Sequence, residues 1–151
     1  MSVISYRVNG AEIREEEDGP VLICSAESPF GNEEDIGYRF SFVPEEDGLL
    51  VAEIMIFLFN GIAEDRVSSI NTLINKLDPY ITLGCFRYFD DTRSVIFSQG
   101  ALLYDDLGIA QITNIIGKTL VIMEETAFNA GEYIFRCLNG EEPETLLAEL
   151  K

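Results

Sequence analysis

Histidine is absent from the chain. Its absence removes Ser-His-Asp and Cys-His catalysis, histidine general bases and most transition-metal sites. Lysine stands only at 76, 118 and 151, so a cradle for phosphate groups is poorly supplied. No glycine-rich phosphate loop of the G-x-x-x-x-G-K-[ST] or G-x-G-x-x-G type occurs. Basic residues are scarce throughout, 10 against 27 acids, for a net charge of −17. With no basic patch, nucleic acid and anionic membrane surfaces are poor partners. Long apolar runs are missing too. The longest, residues 49–59, is interrupted by Glu53 and falls far short of the ~20 residues a membrane helix needs. No early segment joins a basic start to an apolar run and a small-residue cleavage site, so a cytoplasmic protein is expected. Cysteine occurs at 24, 85 and 137, an odd number, widely spaced and with no C-x-x-C. Each sits among apolar neighbours and reads as a buried thiol, not as part of a disulfide framework.

What is present is a domain-sized chain of 151 residues, 47 % apolar, with enough material for a sizeable core. Its organising stretch is residues 63–103. Val67, Ile70, Leu73, Ile74, Leu77 and Ile81 are spaced 3, 3, 1, 3 and 4 apart, which draws one apolar stripe down a helix over residues 63–81. Gly84 supplies a helix stop. Residues 85–90 and 94–103 then form a β-hairpin around Asp91-Thr92-Arg93. Neither hairpin face can be hidden without help, so the helix must lie across a sheet.

The first 60 residues read as mainly β. Asn9-Gly10 joins strands at 3–8 and 11–14, and residues 15–20 form a charged connection. A strand follows at 20–27, then a loop at 28–34 carrying Pro29, Gly31 and Asn32. Residues 36–43 alternate, with Ile36, Tyr38, Phe40 and Phe42 on one face. After a turn at 44–48, residues 49–59 are apolar on both faces. Leu49, Val51, Met55, Phe57 and Phe59 line one side, with Glu53 among them; Leu50, Ala52, Ile54, Ile56 and Leu58 line the other. Such a strand is central and covered on both sides. Helices cover one side. The other needs the 3–14 hairpin or a second subunit.

Beyond Tyr104, Asp105 and Asp106 suit a helix start. Ile112, Ile116, Leu120, Met123, Ala127, Ala130, Ile134 and Leu138 repeat at 4, 4, 3, 4, 3, 4 and 4 without losing phase. A straight helix over residues 105–138 would be about 50 Å long, so a bend or break near Glu125-Thr126 is expected. Asn139-Gly140 stops it, and residues 142–150 form a last short helix.

The fold class expected is therefore α+β, residues 1–151 as one domain, an antiparallel sheet with two main helices on one face. No cofactor or metal is expected. The acidic clusters at 15–18, 33–35 and 45–47 lack the alternating spacing of a calcium loop, and Asp90-Asp91 and Asp105-Asp106 read as turn and cap residues. The aromatic residues Phe86, Tyr88, Phe89 and Phe97 read as core. No catalytic residue is assigned.

The runs Val67-x-x-Ile70-Asn71-x-Leu73-Ile74-Asn75-x-Leu77, Leu83-Gly84-Cys85-Phe86 and Val95-Ile96-Phe97, with the helix from Asp105, resemble the YbjN family over roughly residues 20–140. The fold of that family is similar to that of the type III secretion chaperones and the Tir chaperone family. The resemblance implies a small acidic α/β sandwich, often dimeric, that binds peptides or other proteins and carries no catalytic motif. The family opens with a helix, where residues 1–14 here read as a hairpin.

Function is then expected to be protein binding, chaperone-like or regulatory. Two alternatives stand beside it: a ligand-binding or enzymatic domain built on carboxylates, and a structural or immunity-type component of a larger assembly. The candidate partner or dimer surface is Ile54, Met55, Ile56, Phe57 and Phe59, as either Met55, Phe57 and Phe59 or Ile54, Ile56 and Leu58. A homodimer is expected if that face is left open.

Overall fold

The computed structural model describes residues 10–17 and 19–150. The strand read at 3–8 lies outside them. The fold is α+β, built on a six-stranded antiparallel sheet. The strands are β1 (Gly10–Glu16), β2 (Gly19–Ala26), β3 (Ile36–Pro44), β4 (Leu49–Phe59), β5 (Cys85–Phe89) and β6 (Ser94–Tyr104), in the order β1-β2-β3-β4-β6-β5. The helices are α1 (Val67–Leu77), α2 (Ile109–Leu138) and α3 (Pro143–Ala148). Short 3-10 turns flank α1 at Glu64–Arg66 and Asp78–Tyr80, so the α-helix proper is shorter than the 63–81 stripe.

The register places each strand's faces. Ile36, Tyr38 and Phe40 stand opposite Ala26, Cys24 and Leu22 on β2. Across the next ladder Tyr38 meets Ile56, Phe40 meets Ile54 and Phe42 meets Ala52. Ile56 then meets Phe97, and Leu50 meets Leu103. These side chains form the core under the helices, where Ile54, Ile56, Phe97 and Leu103 are 0 % exposed. From above, α1 contributes Ile70, Leu73, Ile74 and Leu77, and α2 contributes Ile116, Leu120, Met123, Ala127 and Ile134. The Tyr38 hydroxyl donates to Glu124 Oε2 at 2.7 Å, tying β3 to α2. α3 docks through Leu146.

Three expectations are corrected. First, α2 runs unbroken for 30 residues, about 45 Å, with no break at Glu125-Thr126. No proline interrupts it, and its two internal glycines are both buried. The helix is accommodated by overhang: Ile109, in phase with the buried stripe, is 85 % exposed at its first turn. Second, Asp105 and Asp106 do not cap it. The N-cap is Gly108, whose N–H donates to Gln111 Oε1 at 2.8 Å. Third, residues 11–14 do not fold over the sheet. They extend it at the edge as part of β1, whose pairing runs from Gly10–Ser25 to Glu16–Gly19.

The 28–34 loop is pinned by an aromatic cluster that its turn-rich composition conceals. Phe30 is buried, with its ring centroid 4.9 Å from Phe59 and 5.9 Å from Phe135. Gly131 makes room for it; a Cβ there would come within 2.8 Å of the Phe30 ring. Beside this cluster Arg66 closes the end of α2, donating from Nη2 to the Cys137 carbonyl at 2.6 Å and to the Glu141 carbonyl at 3.1 Å. The Cys137 carbonyl, in the last turn of α2, also accepts from the Gly140 N–H at 3.1 Å, and the Glu141 carbonyl lies past the helix end.

Arg136 clamps the C-terminal segment, with Nη1 and Nη2 on Glu149 at 2.7 and 2.9 Å and Nε and Nη2 on Glu141 at 2.8 Å each. The Arg136 hydrogen bonds hold both carboxyls below the usual carboxylate range. A depressed folded-state value gives stability that is whole above the unfolded value and is lost as pH falls through the depressed one. Arg136→Met should therefore lower Tm at neutral pH, and its gap from wild type should narrow below about pH 4. Equal gaps at neutral and acid pH, measured by thermal unfolding, would mean that the clamp acts through packing alone.

Candidate functional site

All three helices lie on one face of the sheet, and among the described residues no helix covers the other. The residues of the helix-free face follow from the pairing, and Val21, Ile96 and Ser98 among them are buried. One row runs Ser25, Gly37, Phe57, Ile96, Arg87 across β2 to β5; the next runs Ile23, Arg39, Met55, Ser98, Cys85. A third holds Val21, Ser41, Glu53 and Gly100, and a fourth Val43, Val51 and Leu102. The face is apolar at its centre, with charge at isolated points.

The five candidate residues divide. Met55 and Phe57 stand on the uncovered face and are half-buried. Ile54 and Ile56 do not: they are 0 % exposed beneath the helices and unavailable to a partner. Phe59 is also corrected to the core, at 4 % exposed. Alternation places it with Phe57, but the register shifts there. Phe57 pairs with Ile96 and Phe59 with Val95, so two steps on β4 oppose one on β6. This bulge turns Phe59 inward against Phe30 and Phe135. A bulge of this kind leaves no local mark in a run where every residue is apolar. Glu53 was the available signal for which face is open, because an unpaired carboxylate belongs on the wet side.

Polar groups on this face are arranged around two hollows. One, of about 170 Å³, is lined by Glu16, Arg39, Ser41, Glu53 and Met55 among others. Arg39 occupies both oxygens of Glu16, at 3.1 and 2.6 Å, so Glu16 does not form a free carboxylate pair with Glu53. The other, shallower and about 400 Å³, is lined by Val51, Glu53, Cys85, Arg87, Ser98 and Gly100. The Cys85 sulfur lies 3.7 Å from the Ser98 hydroxyl. Cys24, Cys85 and Cys137 are all free thiols; Cys24 and Cys137 are buried, Cys85 only partly. Burial pushes the Cys24 and Cys137 thiols above their usual range, against the neighbouring Arg66 in the second case, which keeps them unreactive. Among the described residues no three His, Cys, Asp or Glu side chains gather as a metal site, and no helix is long and apolar enough to cross a membrane.

No known protein family and no curated protein matches the chain.

Proposed function

We propose that this chain is a non-catalytic protein-binding domain, chaperone-like or regulatory, that works through the helix-free face of its sheet. The observation that carries the reading is the central strand β4, which is apolar on both sides while helices cover only one. Met55 and Phe57 are partly exposed beside Val51 and Val43, with Leu102 62 % exposed on the same face. An apolar face of this kind marks an interaction surface. The YbjN-like runs at Val67–Leu77 and 83–86 support the reading, since that family pairs a similar sandwich with protein binding. Three free thiols suit a reducing compartment, and the proposal places the protein in the cytoplasm.

The same face supports a homodimer through Met55 and Phe57. Burial of about 800 Å² per subunit would make an ordinary specific interface. Charge opposes association of two chains at −17 each, but salt screens exposed charge within ~8–10 Å and leaves apolar burial intact. The dimer should therefore tighten with salt. Phe57→Glu should split it into 16.9 kDa monomers in sedimentation equilibrium, with a loss of about 2 kcal/mol or more if Phe57 anchors the contact. Wild type sedimenting as a monomer at high micromolar concentration and moderate salt would end the dimer reading. The wider reading is checked by pull-down from native cytosol with wild type and Phe57→Glu side by side. A discrete protein lost with the variant supports it; identical recoveries count against it.

A further inference from the structure

Two turns far apart in sequence meet at one end of the uncovered face. The Asp105 N–H donates to the Gly48 carbonyl at 2.9 Å. A Cβ built on Gly48 would lie 2.7–2.9 Å from the Asp105 carboxylate, so that carboxylate rests directly on the turn between β3 and β4. The apolar surface beside it is continuous. Val43, Val51 and Leu102 stand side by side across three strands, and Leu49 pairs with Tyr104 one step on. Leu103, between the two β6 residues, is 0 % exposed in the core, so Leu102 and Tyr104 point the other way. They are 62 % and 56 % exposed, unusual for large apolar side chains on a sheet face.

The two turns that meet at this end carry acidic side chains and no basic ones, while Arg39 and Arg87 stand further along the face beside Glu53. The turn contributes Glu45, Glu46 and Asp47, the end of β6 leads into Asp105 and Asp106, and Glu53 stands further along β4. No Lys or Arg occurs between Arg39 and Arg66, or between Arg93 and Lys118. A purely apolar partner would desolvate these carboxylates without compensation. The dimer proposed above meets at Met55 and Phe57, away from these turns; a second copy seated at this end instead would bring acidic chain directly against their carboxylates. Charge complementarity selects the remaining occupant.

We propose that the Val43–Val51–Leu102–Tyr104 end of the open face docks a cationic amphipathic segment of a partner protein, in which Lys or Arg side chains flank aliphatic ones. The aliphatic groups cover Leu102 and Tyr104, and the cations reach Asp105, Asp106 and the Glu45–Asp47 turn. The proposal rests on the protein-binding reading and names its partner class.

The test uses the full chain and fluorescently labelled peptides that alternate Leu with Lys, Leu with Glu, or Ser with Lys, with binding followed by anisotropy. The Leu–Lys peptide should bind saturably and weaken as salt rises, and the other two should bind far less. Leu102→Ser, at an exposed position that folding tolerates, should weaken binding about tenfold, as expected for one lost leucine contact. Asp105→Asn with Asp106→Asn should weaken it severalfold, while Glu125→Gln with Glu132→Gln on α2 removes the same charge and should change little. Circular dichroism checks that each variant is folded. The proposal is overturned if the Leu–Lys peptide fails to saturate, if Leu102→Ser binds as wild type, or if the two neutralised pairs weaken binding equally. Should it fail while Phe57→Glu still strips a partner or splits the dimer, only the cationic docking end is wrong; if Phe57→Glu also changes nothing, protein binding through this face falls with it.

Discussion

Ile56→Glu is expected to unfold the protein, and Phe57→Glu, one residue along the same strand, to leave it folded. Ile56 is 0 % exposed and pairs across the sheet with Tyr38 on one side and Phe97 on the other. Removing a buried isoleucine side chain costs about 2–5 kcal/mol before any charge is considered. Burying an unpaired carboxylate in its place adds several kcal/mol more. The sum approaches or exceeds the ~5–15 kcal/mol by which domains are stable. Phe57 projects from the opposite face, partly exposed between Gly37 and the buried Ile96, so a carboxylate there keeps a path to water that one at Ile56 lacks. Far-UV circular dichroism and urea titration of the two variants make the comparison. A native-like Ile56→Glu with an unfolded Phe57→Glu would reverse the assignment of the faces.

The second large effect is expected at Gly84. Its φ is +83°, a left-handed conformation that costs a residue with a Cβ about 1–3 kcal/mol. Space is lacking as well. A Cβ there would sit 2.6 Å from the tip of the Phe97 ring and 3.0 Å from the Ser98 carbonyl. Phe97 cannot swing aside, since it is 0 % exposed and packs edge-on to Phe86 at 4.9 Å between centroids. Overpacking of this sort adds about 1–3 kcal/mol. Gly84→Ala should therefore lower Tm by roughly 5–15 °C for a chain of this size. Gly61→Ala is the internal control. It has φ +61° but nothing within 4 Å of its would-be Cβ, so it should show the conformational cost without the clash. Equal losses at the two sites would mean that the Phe97 contact contributes nothing.

Most of the architecture was legible because residue type and period agreed. The α1 stripe of Ile70, Leu73, Ile74 and Leu77 is buried as its spacing requires, and the alternation of Ile36, Tyr38 and Phe40 faces the helices. The α2 stripe holds from Ile116 to Ile134. What escaped depends on contacts between distant segments. Within the strand only Glu53, in phase with Met55 and Phe57, separates Ile56 from Phe57 as the buried neighbour; the register with Tyr38 on β3 makes the choice. The inward turn of Phe59 needs a bulge that only β6 reveals. Phe30 sits in a stretch of serine, proline and glycine, so its burial against Phe59, Phe128 and Phe135 is invisible without the fold. The expected break in α2 failed for a different reason. A domain's width limits a helix only if both ends must be covered, and the exposed Ile109 shows that one end is not.

The position of β6 also bears on how the chain reaches this state. From β1 to β4 each strand pairs with the next along the chain, so these ladders close through short turns. β6 instead joins β4 across the whole of α1 and β5, with Leu50 meeting Leu103. Loop-closure entropy must be met there before any contact rewards it. Assembly therefore divides into two halves, a β1–β4 meander and an α1–β5–β6 unit, each rich in local contacts. Contact order makes their zippering along β4 and β6, a seam whose core side holds Ile56 and Phe97, the step expected to be slowest. The face that would receive a partner is completed only by that last step, so a chain still folding presents no finished surface for one to seize.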